Sequence, residues 1–477
     1  TESLLLALIG GALGVALSPS LTHVIVGLYP TALPRADEVG IDMRVLLFAS
    51  LTTLLAGVLS AIPSARRAAR LDLSNDLRDG GRSGSGLRDR RFGRVLIVSQ
   101  VAASLALLFA AGLLLRTFRR LTTIDPGFDL RGVMTFHVFA SSARYAEVAD
   151  FDRYYANAAA ALRTIPGVKE VSSTTMMPFG SGRFYDIFIP NDRGDQGANN
   201  PAAAVSFVAP GFERALGISV LRGRAFTPSD DSMAPRVVMI NESLAKRHFP
   251  GRDPIGQTIT WNTEKDWRII GVLRTAHLDS LSEEAMPILY TSMLQSPKRS
   301  RYFVVRADTP PDQFFAAARA VLHNVDPTIA ITDASTMEQR IYASLGGQRF
   351  RAALMATLGA LALALAVIGI YSVVAYSVTR RIREIGIRMA LGEAAADVRR
   401  RVVIDALRVA AAGIAIGTPL AAVTSRWLSA FLVGVSPYDL ELFVAAAGIL
   451  AVVVVGAAYG PARRAARVDP MTALRAD

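Results

Sequence analysis

The stretch VLIVSQVAASLALLFAAGLLL, residues 95–115, decides what kind of molecule this is. It carries no charge, and its most polar member is Gln100. A helix rises about 1.5 Å per residue, so a run of this length covers a hydrocarbon core about 30 Å thick. Working outward, five further apolar runs occupy residues 4–21, 45–62, 352–374, 402–420 and 442–459. Hydrophobic residues make up 51% of the 477, with a mean hydropathy of +0.34, above the soluble range. The expected fold class is an α-helical membrane protein with six transmembrane helices and a large α+β extracytoplasmic domain between spans three and four.

The arginines set the orientation. Arg66, Arg67, Arg70, Arg78, Arg82, Arg88, Arg90, Arg91 and Arg94 lie between spans two and three. Arg380, Arg381, Arg383, Arg388, Arg399, Arg400 and Arg401 lie between spans four and five, and Arg463, Arg464, Arg467 and Arg475 follow span six. On a six-span path all three clusters share one side, which the positive-inside rule makes cytoplasmic. Residues 117–347 then lie outside. The net charge of +12 is explained by this placement, and no nucleic-acid partner is expected. No Asp, Glu, Lys or Arg is read at mid-span, which speaks against an ion pump or secondary transporter.

The chain repeats itself. Ser64-Ala-Arg-Arg-Ala-Ala-Arg-Leu-Asp72 matches Pro461-Ala-Arg-Arg-Ala-Ala-Arg-Val-Asp469, each directly after a span. Upstream, Glu2-Ser-Leu-Leu-Leu-Ala7 aligns with Asp405-Ala-Leu-Arg-Val-Ala410, each entering a span with glycines: Gly10, Gly11 and Gly14 in the first, Gly413 and Gly417 in the fifth. Residues 1–70 are thus expected to be the last two spans of a first unit whose head would precede Thr1. Residues 71–93 form a Gly/Ser/Arg linker and 94–116 span three. Residues 117–347 form the outer domain, and 348–477 hold spans four to six with a cytoplasmic loop.

Within the outer domain, strands are expected at 133–139, 168–174, 236–240, 267–273, 302–306 and 329–332, and helices at 150–165, 242–249 and 312–325. Such alternation suits small sheets packed by helices. Chemistry is sparse. With no cysteine there is neither disulfide nor thiol nucleophile. His137, His248, His277 and His323 show no metal-ligand spacing, and no GxSxG, HExxH or GxxxxGK[ST] occurs. Asp230-Asp231 reads as a solvated turn, Arg222-Gly-Arg224 as a turn between strands, and Trp261 and Trp267 as flanks of a hairpin. No catalytic, cofactor-binding or metal residue is assigned.

Three segments carry a family resemblance. Arg381-Ile-Arg-Glu-Ile-Gly-Ile-Arg-Met-Ala-Leu-Gly392 resembles the cytoplasmic loop of the MacB/FtsX family of ABC-transporter permeases. The run from Pro461 through Pro470-Met-Thr-Ala-Leu-Arg475 resembles that family's closing signature. Asn241-Glu-Ser-Leu-Ala-Lys-Arg-His-Phe-Pro-Gly-Arg-Asp-Pro-Ile-Gly256 resembles its periplasmic core domain. The duplicated layout is similar to the tandem permeases first described in acidobacteria.

The resemblance implies a multi-pass protein of the bacterial inner membrane, itself not an enzyme. Its partner would be a cytoplasmic ABC ATPase dimer that binds the ATP, with a periplasmic adaptor or envelope protein as a further partner. The implied function is to couple ATP hydrolysis to periplasmic motion for export or extraction of a substrate. The alternative is an envelope scaffold that relays that motion to a partner such as a cell-wall hydrolase. The ATPase-coupling residues would be Arg381, Ile382, Glu384, Ile385, Gly386, Ile387, Arg388, Met389, Leu391 and Gly392.

Read from the residues alone, a helix here puts Ile382, Ile385 and Met389 on one stripe and Arg381, Glu384 and Arg388 on another. That stripe suits either a groove in a partner or the lipid headgroups. Two departures stand out: the first unit's equivalent loop is not in the chain, and Glu393-Ala-Ala-Ala-Asp397 replaces the usual Pro or Gly turn, so that the next helix is expected to start early.

Overall fold

The computed structural model describes residues 2–28, 40, 42–68, 85–180, 184–191, 200–261, 264–278, 280–282, 286–391 and 393–467. In chain order come the helices α1 (Glu2–Leu28), α2 (Met43–Ala68) and α3 (Ser85–Thr123). Then follow β1 (Val133–Phe139), α4 (Val148–Arg163), β2 (Val168–Thr174), β3 (Tyr185–Pro190), β4 (Ala202–Val208), α5 (Phe212–Leu216) and β5 (Val220–Gly223). Next are β6 (Val237–Asn241), α6 (Glu242–His248), β7 (Thr258–Trp261), β8 (Glu264–Leu273), β9 (Ile288–Ser292) and β10 (Ser300–Ala307). The chain closes with α7 (Pro311–Val325), β11 (Thr332–Thr336), α8 (Met337–Ser344), α9 (Gly346–Arg380), α10 (Ile382–Ala390), α11 (Ala395–Leu428) and α12 (Leu440–Ala465). Two compact units result, Leu121–Leu345 and the helical remainder.

The helical unit accounts for the spans. Among the described residues five helices are long and apolar enough to cross a bilayer, and a sixth, α2, is apolar over Met43–Val58. Span three sits in α3, which begins at Ser85, earlier than expected. The predicted linker therefore narrows: its Gly/Ser run lies outside the described residues except for Ser85 and Gly86, which open the helix.

Small residues set how closely these helices pack. A Cβ on Gly413 would lie 2.7 Å from the Val101 Cβ, and one on Gly417 would lie 3.0 Å from the Ala102 Cα, so α11 lies directly against α3. Ile97, Val101, Leu105, Ile370, Ala410, Leu450 and Val454 form the shared interior. Near the other end of α3, Arg116 bonds Asp439 and, at 3.2 Å, Glu441, while Arg120 donates to the carbonyl of Gly434. Asp439 also caps α12 by accepting from the Leu442 N–H at 3.1 Å. Asp405 and Arg408 lie inside α11, toward its N-terminal end.

The α+β unit is one sheet in two parts. The first has the order β11-β1-β10-β2 with antiparallel neighbours. Helix α4 links β1 to β2, and α7 links β10 to β11, which is the split β-α-β arrangement of ferredoxin-like folds. Phe136, Tyr155, Leu162, Phe303, Phe314 and Leu322 fill the space between this sheet and its two helices.

The second part is inserted between β2 and β10. Strand β4 touches β2 through the pair Thr174 and Val208, then the order runs β4-β3-β7-β8-β6-β9. Strand β9 pairs back on β4 in parallel, closing a small barrel, and β5 adds to β8. Phe188, Trp261, Trp267, Ile269 and Leu289 fill part of its core. Asn241 ties the barrel to α6: its side-chain oxygen accepts from the N–H groups of Leu244 and Ile288, both at 3.0 Å, and its amide donates to the Met286 carbonyl at 2.7 Å. A fully buried asparagine is tolerated because its hydrogen-bonding groups are satisfied this way.

Candidate coupling site on helix α10

Helix α10 follows α9 after a break at Arg381, whose N–H bonds the Val378 carbonyl at 3.0 Å while its own carbonyl accepts from Ile385. It ends where the N–H of Leu391 returns to the Ile387 carbonyl at 3.0 Å and that of Glu393 to the Arg388 carbonyl at 3.0 Å. A Glu384–Arg388 ion pair at 2.6 Å, one turn apart, supports it from outside. The next helix starts at Ala395, with Ala394 as its cap residue and no side-chain capping bond.

The amphipathic stripe read from sequence is present, and it turns inward. Ile385 and Met389 pack against Val378 of α9, Val398 of α11 and Ala465 of α12. Ile382 is half-buried and Gly386 is buried. The exposed side instead carries Glu384, Ile387, Arg388 and Leu391, with Leu391 83% exposed. Gly392 lies outside the described residues.

Two residue pairs that the sequence reading missed hold α10 to α11. Arg381 faces Asp405 at 3.9 Å, and Glu393 pairs with Arg401 at 3.1 Å. In the sequence Arg401 stands out only as part of a topological charge cluster and Asp405 only as a repeat marker. Their signal in the sequence was a set of opposite charges flanking an amphipathic helix.

Between α10 and the ends of α3, α9 and α11 lies a cavity of about 130 Å³. Its apolar lining includes Ile97, Ile370, Val373 and Val374, and its charged lining includes Arg94, Arg381, Arg388, Arg401, Glu384, Glu393 and Asp405. Helix α10 therefore rests on its own spans over a partly hollow support.

The α+β unit holds no comparable constellation among its described residues, where no group of three or more His, Cys, Asp or Glu residues is placed to hold a metal. His137 hydrogen-bonds Thr332 and Ser300 across strands, and burial lowers its pKa, favouring the neutral ring. The Asp230-Asp231 turn differs from its sequence reading. Asp230 is buried and accepts from both arms of Arg224, at 2.7 and 2.8 Å, and from the Thr227 N–H and hydroxyl. The Arg224 guanidinium, followed by the Thr227 donors, holds its carboxyl below the usual aspartate range against the opposing effect of burial. Trp261 and Trp267 do flank the β7–β8 hairpin, their rings edge to face at 5.0 Å.

Residues 95–322 match the family described as MacB-like periplasmic core domain, and residues 356–470 match the FtsX-like permease C-terminal family. The chain belongs to the MacB/FtsX family of ABC-transporter permeases. It is a multi-pass inner-membrane protein whose large α+β domain is periplasmic.

Among curated relatives, the pyoverdine export ATP-binding/permease protein PvdT of Pseudomonas aeruginosa is 28% identical over 66% of this chain and 46% of its own length. The uncharacterized ABC transporter permease YknZ of Bacillus subtilis is 25% identical over 66% of this chain and 77% of its own. The chain thus spans about half the length of PvdT. The crystal structure of the periplasmic region of MacB from Actinobacillus actinomycetemcomitans aligns with 46% of this chain and 95% of that one, at 16% identity and a TM-score of 0.32.

Proposed function

We propose that the chain is a permease subunit that couples ATP hydrolysis by a separate cytoplasmic ABC ATPase dimer to motion of its periplasmic domain, for export or extraction of a substrate. The observation that carries this reading is the two-sided character of α10. Its inner side is anchored to three spans, and its outer side presents Ile387 and Leu391 beside the Glu384–Arg388 pair. A helix held in this way passes a push on its outer face into α9 and α11 rather than rolling over it.

These 477 residues contain no phosphate-binding loop sequence, and ATP binding is proposed for an ABC ATPase partner. The names of relatives agree with both arrangements: PvdT is an ATP-binding/permease protein, whereas YknZ is named as a permease alone. A periplasmic adaptor or envelope protein is the further partner proposed for the outer domain. The test is affinity purification of the protein from its native membrane in mild detergent, with mass spectrometry of what accompanies it. An ABC ATPase should co-purify; its absence across several mild detergents would refute the coupling reading.

A further inference from the structure

The cavity beneath α10 lies at the cytoplasmic ends of the spans. Helix α3 enters the periplasmic domain past its C-terminal end, and α9 follows that domain at Gly346. Arg94, near the start of α3, and Arg381, just after α9, therefore share the cytoplasmic face. The lining is graded. Arg94, Arg388 and Arg401 are exposed at its rim, whereas Ile97, Ile370 and Val373 line it further along the spans. From Val378 to Ile370 the wall contributed by α9 extends about 12 Å, at ~1.5 Å per residue. Guanidinium groups above aliphatic side chains, at the depth of the membrane surface, match an amphiphile with an acidic head.

The charges around the cavity do not cancel. Four arginines line it against three carboxylates. Arg388 is held by Glu384 at 2.6 Å and Arg401 by Glu393 at 3.1 Å. Asp405 lies 3.9 Å from Arg381, the outer limit of an ion pair, and is nearer to Arg408, at 3.1 Å. Arg94 has no ion pair among the described residues. Two guanidiniums, those of Arg94 and Arg381, are thus the ones left to meet an anion.

We infer that this cavity binds one acidic phospholipid of the cytoplasmic leaflet. Arg94 and Arg381 meet its headgroup phosphate, whose oxygens suit the planar fork of a guanidinium, and an acyl chain lies along Ile97, Ile370 and Val373. A phosphodiester neutralises the excess positive charge of the lining. A zwitterionic head fits less well, because each carboxylate around the cavity already faces an arginine and its ammonium finds no free acceptor. Free phosphate would reach the arginines but leave the aliphatic wall unused. The inference does not rest on the coupling reading, since it concerns what fills the space beneath α10 and not what meets its outer face.

The test uses the whole 477-residue chain, stripped of lipid in detergent and titrated with dioleoylphosphatidylglycerol. Native mass spectrometry resolves the first bound lipid and its affinity. Arg94→Gln should weaken that binding about tenfold, as for the loss of one charge-assisted contact, and Arg94→Gln with Arg381→Gln should weaken it further. Arg400→Gln, exposed on the same face of the membrane but outside the lining, is the control and should bind as the wild type does.

Two arms need no variant. Dioleoylphosphatidylethanolamine should bind several-fold more weakly than the acidic lipid, and excess glycerol 3-phosphate should fail to displace the acidic lipid. Equal affinity for the two lipids would overturn the selection for an acidic head. Displacement by glycerol 3-phosphate would make the ligand a soluble phosphate and overturn the lipid assignment. An equal loss in Arg94→Gln and Arg400→Gln would reduce the effect to general attraction by a basic face and overturn the site. No ATPase is present in the experiment, so its failure leaves the coupling reading standing.

Discussion

Leu391 stands one turn beyond Ile387 on the side of α10 that faces away from the spans, while Ile385 and Met389 face into them. The four residues belong to one short motif but answer to different pressures. Ile387→Asp or Leu391→Asp should leave thermal stability almost unchanged, since both side chains are exposed. Either should deplete the ATPase recovered with the protein. Full recovery with both variants would remove the outer face of α10 from the coupling reading.

Ile385→Asp and Met389→Asp should behave in the opposite way. Each places a carboxylate among Val378, Val398 and Ala465 and should destabilise the helical unit by about 2 kcal/mol or more. Thermal denaturation in detergent is the measurement, and an unshifted midpoint would mean that the stripe is not packed.

The contact of α11 with α3 leaves no room for larger side chains. Gly413→Val should cost about 1 to 3 kcal/mol through overpacking against Val101, whereas Gly10→Val should cost nothing measurable in the chain by itself. Equal losses from the two substitutions, measured by thermal denaturation, would contradict the packing described.

Asp230 gives a pH dependence with a definite sign. Its folded-state pKa is depressed below the ordinary aspartate value, so its contribution is present above the unfolded value and is lost as pH falls through the folded one. Asp230→Asn should destabilise the periplasmic domain near neutral pH by about 1.5 to 3 kcal/mol, the worth of charge-assisted hydrogen bonds. The deficit should shrink below about pH 4, where the carboxyl of the unfolded chain begins to protonate while the folded one is still ionised, and vanish as pH falls through the lower folded-state value. Unfolding followed across pH 2 to 7, referenced to these ordinary carboxylate ranges, checks it; a constant difference would argue against the ion pair.

Topology can be read with single cysteines on this cysteine-free background. Met233→Cys, at a 91% exposed position between β5 and β6, should react with an impermeant maleimide added to intact spheroplasts. Arg399→Cys should react only after permeabilisation. The reverse pattern would invert the orientation.

The sequence disclosed elements whose signals are local. The Pro166-Gly167 turn and the apolar faces of 150–165 and 312–325 placed α4 and α7 within two residues of their observed bounds. Strand β4 went unread because Ala202-Ala-Ala-Val-Ser-Phe-Val208 has no strand-like alternation; it is extended because β2, β3 and β9 all pair with it. Strand β11 was expected at 329–332 and forms at Thr332–Thr336 instead. There pairing with β1 and the Thr336 capping box of α8 outweigh the apolar pull of Ile329 and Ile331, which pack on the core without joining the ladder.

The candidate site shows a different limit. Helical periodicity locates the stripe of Ile382, Ile385 and Met389 correctly but says nothing of whose surface it meets. That depends on Val378, Val398 and Ala465, which lie on three separate helices.

The insertion of the barrel between β2 and β10 also bears on how the domain is made. Strand β1 finds its antiparallel neighbour β10 only through the pairs from Val133↔Arg306 to Phe139↔Ser300, so its ladder joins parts of the chain far apart in synthesis. Such distant pairing slows folding, because chain closure must precede the contacts that reward it. During export of the nascent domain, β1, α4 and β2 emerge without the strand that belongs between β1 and β2. Until β10 crosses the membrane, the edges of β1 and β2 stay open to mispairing, and the periplasmic domain would be most vulnerable to proteases and most dependent on chaperones in that interval.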